Sequence, residues 1–234
     1  MTRRKAILLW GAGSQARLVE AMLRDMDELS EDSIVFDPLG SSDLITNLQI
    51  IRDVEALAER LPTLEGFVVC IGNQHGLARV RVGEFLSGRG LVPISVLSQQ
   101  AMLDSTLHIG RGCVVMPGVI VQKFCTIGDY AILNTGACID HECHLGDGVH
   151  VMGQVALAGR VSIGNCATIG TNATILPDLS VGAGAYVGAG SVVIQDVAEA
   201  SVVVGNPARW LRQTSQQFEA FTLTALATAI ARRA

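Results

Sequence analysis

Counting by six along the chain from Leu97 meets an aliphatic residue at every step. The positions are Leu97, Leu103, Ile109, Val115, Val121, Ile127, Leu133, Ile139, Leu145, Val151, Leu157, Ile163, Ile169, Ile175, Val181, Val187 and Val193. If about a third of residues were of these types, chance would give such a run on the order of once in 10⁷ to 10⁸ tries. A second register runs beside it. Two residues before the aliphatic position the chain is usually small, as at Cys125, Ala131, Ala137, Cys143, Ala167, Ala173 and Ala185. Gly often follows it, as at Gly110, Gly128, Gly146, Gly164, Gly170, Gly182 and Gly188. Period six matches no helical face, and so many glycines would destabilise a helix. A six-residue unit makes one short strand and one corner, and three units close a triangular coil of about 18 residues. The aliphatic side chains point inward and stack from coil to coil at roughly 4.8 Å, so about five coils make a prism roughly 25 Å long. Glycine and small residues let the chain turn at the corners. The pattern predicts a parallel β-helix from about Leu97 to Val193.

The first 95 residues read differently. Ala6–Trp10 is an apolar strand, followed by Gly11-Ala12-Gly13-Ser14-Gln15-Ala16 and a helical stretch through Leu18–Leu23. Ser33–Phe36 is a second strand, ending at Asp37. Gly66–Cys70 is a third, followed by Ile71-Gly72-Asn73 and a helix through about Leu86. Strands alternating with helices imply a parallel sheet. The G-x-G-x-x-A turn lies between strand and helix, where glycines admit a phosphate to the backbone and the helix N-terminus favours an anion. Asp37 stands where an acid commonly holds a ribose. A full dinucleotide site, a smaller nucleotide site and a tight turn with no ligand all fit this motif. Fewer than 100 residues leave no room for a second mononucleotide half, which favours the smaller site.

Composition narrows the picture. The chain has 234 residues, 25 of them glycine, with only 4% aromatic. That profile suits short strands and tight turns. The formal charge of -5 forces no basic face, so no nucleic-acid partner is expected. No apolar run reaches 18 residues, so no membrane span is expected. The basic start, Met1–Lys5, runs into the glycine turn too soon for a signal peptide. Six cysteines without a C-x-x-C pair read as reduced, mostly buried thiols of a cytoplasmic protein.

Between the inward Ile139 and Leu145 lie Asp140, His141 and Glu142, which places His141 outside the prism. A histidine flanked by carboxylates can act as a general base, with one carboxylate fixing its tautomer. The competing reading is a solvated polar corner. Gly159 is 18 residues further on, one coil along the same edge. A glycine there leaves room for an acyl-carrying arm, and its N–H could face a developing oxyanion. His150 is nine residues from His141, half a coil round the prism, so only neighbouring subunits could bring the two to one site. His144 could join His141 at a metal, but the spacing of His141, His144 and His150 does not suit three convergent ligands, and no metal is expected. His75 and His108 have no clear partners and read as structural.

The hexapeptide run resembles the hexapeptide-repeat acyltransferase superfamily, whose domains form left-handed β-helices; the handedness rests on that resemblance alone. The segment N-T-G-A-x-x-D-H-E-C-x-L-G from Asn134, His150, Leu157-Ala158-Gly159 and Gly205-Asn206-Pro207-Ala208 resemble one branch of it. So do G-A-G-S-Q-A, F-D-P and I-G-N-Q in the first half. That branch contains bacterial nucleotide-aminosugar N-acetyltransferases and sialic acid O-acetyltransferases, and the likeness runs to about Leu211. It implies that His141 is the base with Glu142 beside it, and that His150 and Asn134 line the active site. It implies that Gly11, Gly13, Asp37 and Asn73 hold the nucleotide of the sugar; His150 and, on its spacing from His141, Gly159 are expected at the coenzyme. It also implies acetyl-CoA as co-substrate and a homotrimer with sites between subunits. Members often carry Gly-His-Gly or Gly-His-Ala where this chain has Ser14-Gln15-Ala16.

The resulting expectation is a half-Rossmann nucleotide-sugar domain over 1–95, a left-handed β-helix over 96–205 and a helical cap over 206–234. The cap would close the open end of the prism, with apolar residues spaced along Gln216–Leu226. The expected activity is acetyl-CoA-dependent N-acetylation of a nucleotide-linked amino sugar for bacterial glycan synthesis. Sugar O-acetylation of the sialic acid type is the close alternative. A non-catalytic trimeric scaffold that binds nucleotide sugars is the alternative of another class.

Overall fold

A computed structural model describes residues 4–38, 40, 46–214 and 218–233. Met1–Arg3 at the basic start and Gln216–Gln217 in the terminal helical stretch lie outside them. The chain forms two compact units. One comprises the stretch ending at Ile71, Arg81–Val96 and the stretch from Phe218; the other comprises Gly72–Val80 and the stretch from Leu97.

The first unit is built on a five-stranded parallel sheet. Its elements are β1 (Ile7–Trp10), α1 (Ser14–Asp25), β2 (Ile34–Phe36), β3 (Gln49–Ile51), α2 (Val54–Arg60), β4 (Gly66–Val69), α3 (Gly76–Ser87) and β5 (Val92–Pro93). The order is β3-β2-β1-β4-β5, and every pair is parallel. β1, β2 and β4 are buried throughout, as unbroken apolar runs in a parallel sheet must be. In α1 the buried residues Ala16, Val19, Glu20 and Leu23 recur at helical spacing. α2 starts at Asp53, whose carboxylate accepts a hydrogen bond from the Ala56 N–H at 2.9 Å. β3, α2 and β5 carry no strong pattern in the sequence. The direction of the sheet order reverses between β1 and β4, and such switch points are where open α/β sheets bind ligands, at the carboxyl ends of the strands.

The boundary between units falls inside α3, and Gly72–Val80 groups with the β-helix. The fully buried Arg79 ties that segment down, donating from Nε to the Tyr130 carbonyl at 3.1 Å and from its guanidinium to the Gly148 carbonyl at 2.6 Å. Burial lowers its pKa to about 10, so it stays charged near neutral pH.

The β-helix consists of seventeen two-residue strands, from Val96–Leu97 to Val192–Val193. The second residue of each is the period-six aliphatic. Successive coils pair 18 residues apart and in parallel, as in Ile120↔Cys138 and Val121↔Ile139. The strands form three sheets. From Val115 onward the aliphatic positions are buried, and the small residues two positions before them line the same core.

The corners differ from expectation. Left-handed backbone falls three residues after each aliphatic from Ile109 to Val187, not at the glycines directly following it. Those glycines exist for another reason: a Cβ on Gly128 would lie 2.6 Å from the Asp147 nitrogen of the next coil. The left-handed positions form three columns. One holds Gly112, Tyr130, Gly148, Cys166 and Gly184; a second holds Gly118, Gly136, Gln154, Asn172 and Gly190. The third holds Phe124, Glu142, Arg160 and Asp178, with no glycine. A side chain in this conformation costs about 1–2 kcal/mol.

Beyond the last coil, Ser201–Val204 extends one sheet in parallel, and Arg209–Gln213 pairs with it antiparallel as an exposed, basic edge strand. The terminal helix α4 (Phe221–Ala231) belongs to the first unit. It packs against α2 through Leu223, Leu226 and Ala229. Arg232 and Arg233 pair with Glu55 and Glu59 of α2. The expected helical cap on the prism is therefore corrected: the apolar stripe is buried on the α/β unit, and the edge strand covers one sheet of the prism.

Candidate active site

In the first unit, the turn after β1 has the geometry of a phosphate-admitting loop. Gly11 has φ of +107°, and a Cβ there would meet the Cys70 carbonyl oxygen at 3.0 Å. Only glycine fits both the conformation and the close approach of the strand ends. Gly13 caps α1 with no side-chain hydrogen bond, and the space beside its Cα is open. Asp37, one residue past β2, accepts a hydrogen bond from the Ala12 N–H at 2.9 Å. Gly11, Gly13 and Asp37 are thus brought together at the switch point. Gln15, in the same turn, has a buried amide nitrogen with no protein partner, which leaves a donor for a ligand.

In the β-helix, Ile139 ends a strand and Leu145 ends the next. The corner between them presents His141 and Glu142 outward. Asp140 shapes it by accepting the His141 backbone N–H at 2.7 Å. Glu142 takes the left-handed conformation, φ 59°, and its N–H donates to the Lys123 carbonyl at 2.9 Å. Its carboxylate then lies 2.8 Å from His141 Nδ1. Both side chains are about half exposed, 43% and 52%. The carboxylate favours the tautomer with the proton on Nδ1 and leaves Nε2 as the basic nitrogen.

Nε2 faces Gly159. A Cβ at that position would lie 2.6 Å from Nε2 and 2.7 Å from Cε1, so the ring tip occupies space that only glycine leaves open. At two equivalent positions the residue before supplies an acceptor: Asp140 for the His141 N–H and Asn134 for the Thr135 N–H, the latter at 2.8 Å. Before Gly159 stands Ala158, and the Gly159 N–H has no acceptor among the described residues. A base nitrogen and an open backbone donor therefore share one corner. Asn134 lies one strand earlier, its side-chain oxygen engaged by Thr135.

His150 lies elsewhere. It is on a different sheet from the strands flanking His141, and its side chain is buried, 3% exposed. Nδ1 donates to the Asn73 carbonyl at 3.1 Å. Burial, reinforced by the charge of Arg79 and opposed by the Asn73 hydrogen bond, pushes its pKa down to about 4. The ring is neutral at ordinary pH, with Nε2 buried and unpartnered. His150, expected at the coenzyme, holds the Asn73 segment through this hydrogen bond. Asn73 itself is left-handed, φ 52°. Thr168, paired above His150, also has an unpartnered buried hydroxyl and lines a polar hollow with Gln74, Tyr186 and Arg212. Neither that hollow nor the role of Arg79 is marked by any pattern in the sequence. Among the described residues no cluster of three His, Cys, Asp or Glu side chains suits a metal ion, and no helix is long and apolar enough to cross a membrane.

Residues 107–141 match the family described as bacterial transferase hexapeptide (six repeats). No curated protein matches the chain by sequence. Solved structures do. A histidine variant of perosamine N-acetyltransferase from Caulobacter crescentus, in complex with CoA and GDP-perosamine, is 29% identical, with a TM-score of 0.81 over 89% of this chain and 97% of its own. The acetyltransferase domain of PglB from Neisseria gonorrhoeae, in complex with acetyl coenzyme A, is 27% identical with a TM-score of 0.81, over 89% of this chain and 100% of its own. WeeI from Acinetobacter baumannii is 26% identical with a TM-score of 0.78, over 88% and 99%. Together with the repeat, these likenesses make the chain similar in fold and sequence to hexapeptide-repeat acetyltransferases such as the perosamine N-acetyltransferase.

Proposed function

We propose that this enzyme is an acetyl-CoA-dependent N-acetyltransferase of a nucleotide-linked amino sugar, with His141 as general base. One observation carries the reading: Glu142 holds Nδ1 at 2.8 Å while Nε2 points at the space left by Gly159. The amine nitrogen attacks the thioester carbon and its proton passes to Nε2. Glu142 stabilises the imidazolium that forms. The Gly159 N–H donates to the carbonyl oxygen as it gains charge. The carbon–sulfur bond then breaks, and the imidazolium returns the proton to the departing thiolate. The products are an amide and free CoA thiol, with no net change at His141. Holding both substrates at one corner supplies much of the rate.

Gly11, Gly13 and Asp37 would hold the nucleotide, with the buried Gln15 amide as a further donor. Asn73 and Asn134 complete the proposed substrate contacts. The relatives crystallised with GDP-perosamine or acetyl-CoA support both substrate classes. The proposed assembly is a cytoplasmic homotrimer with sites between subunits, serving glycan synthesis. The domain limits 1–95, 96–205 and 206–234 are kept as functional divisions, with α4 in the last serving the first unit.

The test is thiol release from acetyl-CoA against UDP-, GDP- and dTDP-linked 4-amino sugars, GDP-perosamine among them, with sialic acid beside them. The expected result is turnover with one nucleotide-amino sugar, abolished in His141→Ala. Turnover with sialic acid alone would move the enzyme to O-acetylation. Full activity in His141→Ala would remove the base assignment.

A further inference from the structure

The corner that carries His141 departs from the other two in its left-handed column. Those are glycine at three of five positions, whereas this one reads Phe124, Glu142, Arg160 and Asp178. Side chains are kept here where glycine would relieve the backbone. The column is a stack. The Arg160 N–H donates to the His141 carbonyl at 2.9 Å, and the Asp178 N–H to the Gly159 carbonyl at 3.1 Å. Arg160 therefore sits between two carboxylates, Glu142 one coil before it and Asp178 one coil after.

The guanidinium is committed to one of them. Nε lies 2.5 Å from Asp178 Oδ1 and the terminal nitrogen 2.8 Å from Oδ2. This is the bidentate fork in which arginine binds a carboxylate most strongly. Glu142 is left to His141 Nδ1. Arg160 nonetheless feels the charge of Glu142, and Asp178 feels that of His141. The four groups form one electrostatic unit.

We propose that Asp178 is a positioning residue for the acyl transfer: by binding Arg160 it keeps the Glu142 carboxylate free to orient His141. Without Asp178, the nearest carboxylate in the column for the Arg160 fork is Glu142. A strong bidentate partner would draw Glu142 away from Nδ1, and the ring would lose the contact that fixes its tautomer. The inference rests on the reading of His141 and Glu142 as the base pair.

The test is Asp178→Asn, assayed for kcat, for KM of both substrates and for the pH profile. The charged groups around this corner are Glu142 on the ring, Asp140 on the His141 backbone N–H, Arg160 and Asp178 on the following coils, and Lys123 of the preceding coil, which pairs with Asp104. Losing the Asp178 charge and drawing Glu142 onto Arg160 both disfavour the imidazolium, so the acid limb of kcat/KM moves to lower pH. The rate constant kcat is expected to fall on the order of tenfold or more, with KM little changed. Adding Arg160→Gln to Asp178→Asn removes the competitor and restores kcat to within about twofold of the native value. Arg160→Gln alone, which tests the same logic should Asp178→Asn fold poorly, lowers kcat less than Asp178→Asn does. A native kcat and pH profile in Asp178→Asn, or no recovery in the double variant, overturns the proposal. An active His141→Ala enzyme would instead overturn the base reading beneath it.

Discussion

Gly159→Ala tests the site with the smallest possible change. The new methyl carbon would stand 2.6 Å from His141 Nε2, 2.7 Å from Cε1 and 3.2 Å from Cδ2. Ordinary contacts of this kind sit near 3.5 Å, so the ring tip must retreat by roughly 1 Å. The backbone does not resist, because Gly159 is outside the left-handed region. The fold does not resist either, since the ring is 43% exposed at an outer corner. Stability is expected to change by about 0.5 kcal/mol or less. Catalysis is different: a shift of about 1 Å in the base costs on the order of a hundredfold, or about 2.7 kcal/mol in the barrier. Steady-state kinetics should show that loss in kcat/KM, carried mainly by kcat, with an unchanged melting temperature. Gly153→Ala is the control. It occupies the same place in the repeat at another corner, where a Cβ meets only the Thr135 carbonyl at 3.4 Å, and it should retain near-native rates. A Gly159→Ala enzyme within about twofold of native kcat/KM would refute the idea that Nε2 acts from this position.

Three further outcomes follow from the same coordinates. His150 is neutral when folded and titrates near 4, against 6.5 for a free imidazole; the unfolded chain therefore takes up a proton that the folded one refuses as pH falls from 6.5 to 4, and about 3 kcal/mol of stability is lost over that window. Urea unfolding at a series of pH values should show this slope in the native protein and its absence in His150→Gln; equal slopes would refute the buried neutral ring. Removing the orphaned amide in Gln15→Ala should raise KM for the nucleotide sugar about three- to tenfold and leave KM for acetyl-CoA alone, and an unchanged sugar KM would clear Gln15 of a binding role. Leu226→Ala empties a fully buried position between α4 and the α/β unit and should cost about 2–5 kcal/mol in a denaturation curve; a loss below about 1 kcal/mol would contradict the packing of α4 there.

The β-helix was open to sequence reading because its contacts are themselves regular. Every residue meets the one 18 places on, so a local pattern carries long-range information. That arithmetic places Gly159 over His141, and the ring tip lies where a Cβ on Gly159 would stand, 2.6 Å from Nε2. The glycines after the aliphatic positions were visible too, but their cause was not. They make room for the next coil, while the left-handed turns fall two residues later, on residues as varied as Tyr130 and Gln154. Conformation at those corners is imposed by stacking, which overrides the local preference of the side chain.

The α/β unit shows the opposite case. β1, β2 and β4 announce themselves as buried apolar runs, whereas β3 and β5 are three and two residues long and half exposed. Nothing periodic marks Gly72–Val80 as part of the β-helix, since a single buried Arg79 and one His150 hydrogen bond hold it there. The stripe on α4 was legible as a buried face, but a stripe does not name its partner. Glu55 and Glu59 on α2 do, by pairing with Arg232 and Arg233. The candidate base divides along the same line. Its residues are adjacent in sequence and its glycine is one repeat away, so both could be read from the chain. The commitment of Arg160 to Asp178 rather than Glu142 is a choice between two equidistant repeats, which symmetry leaves undecided and only the side-chain geometry resolves.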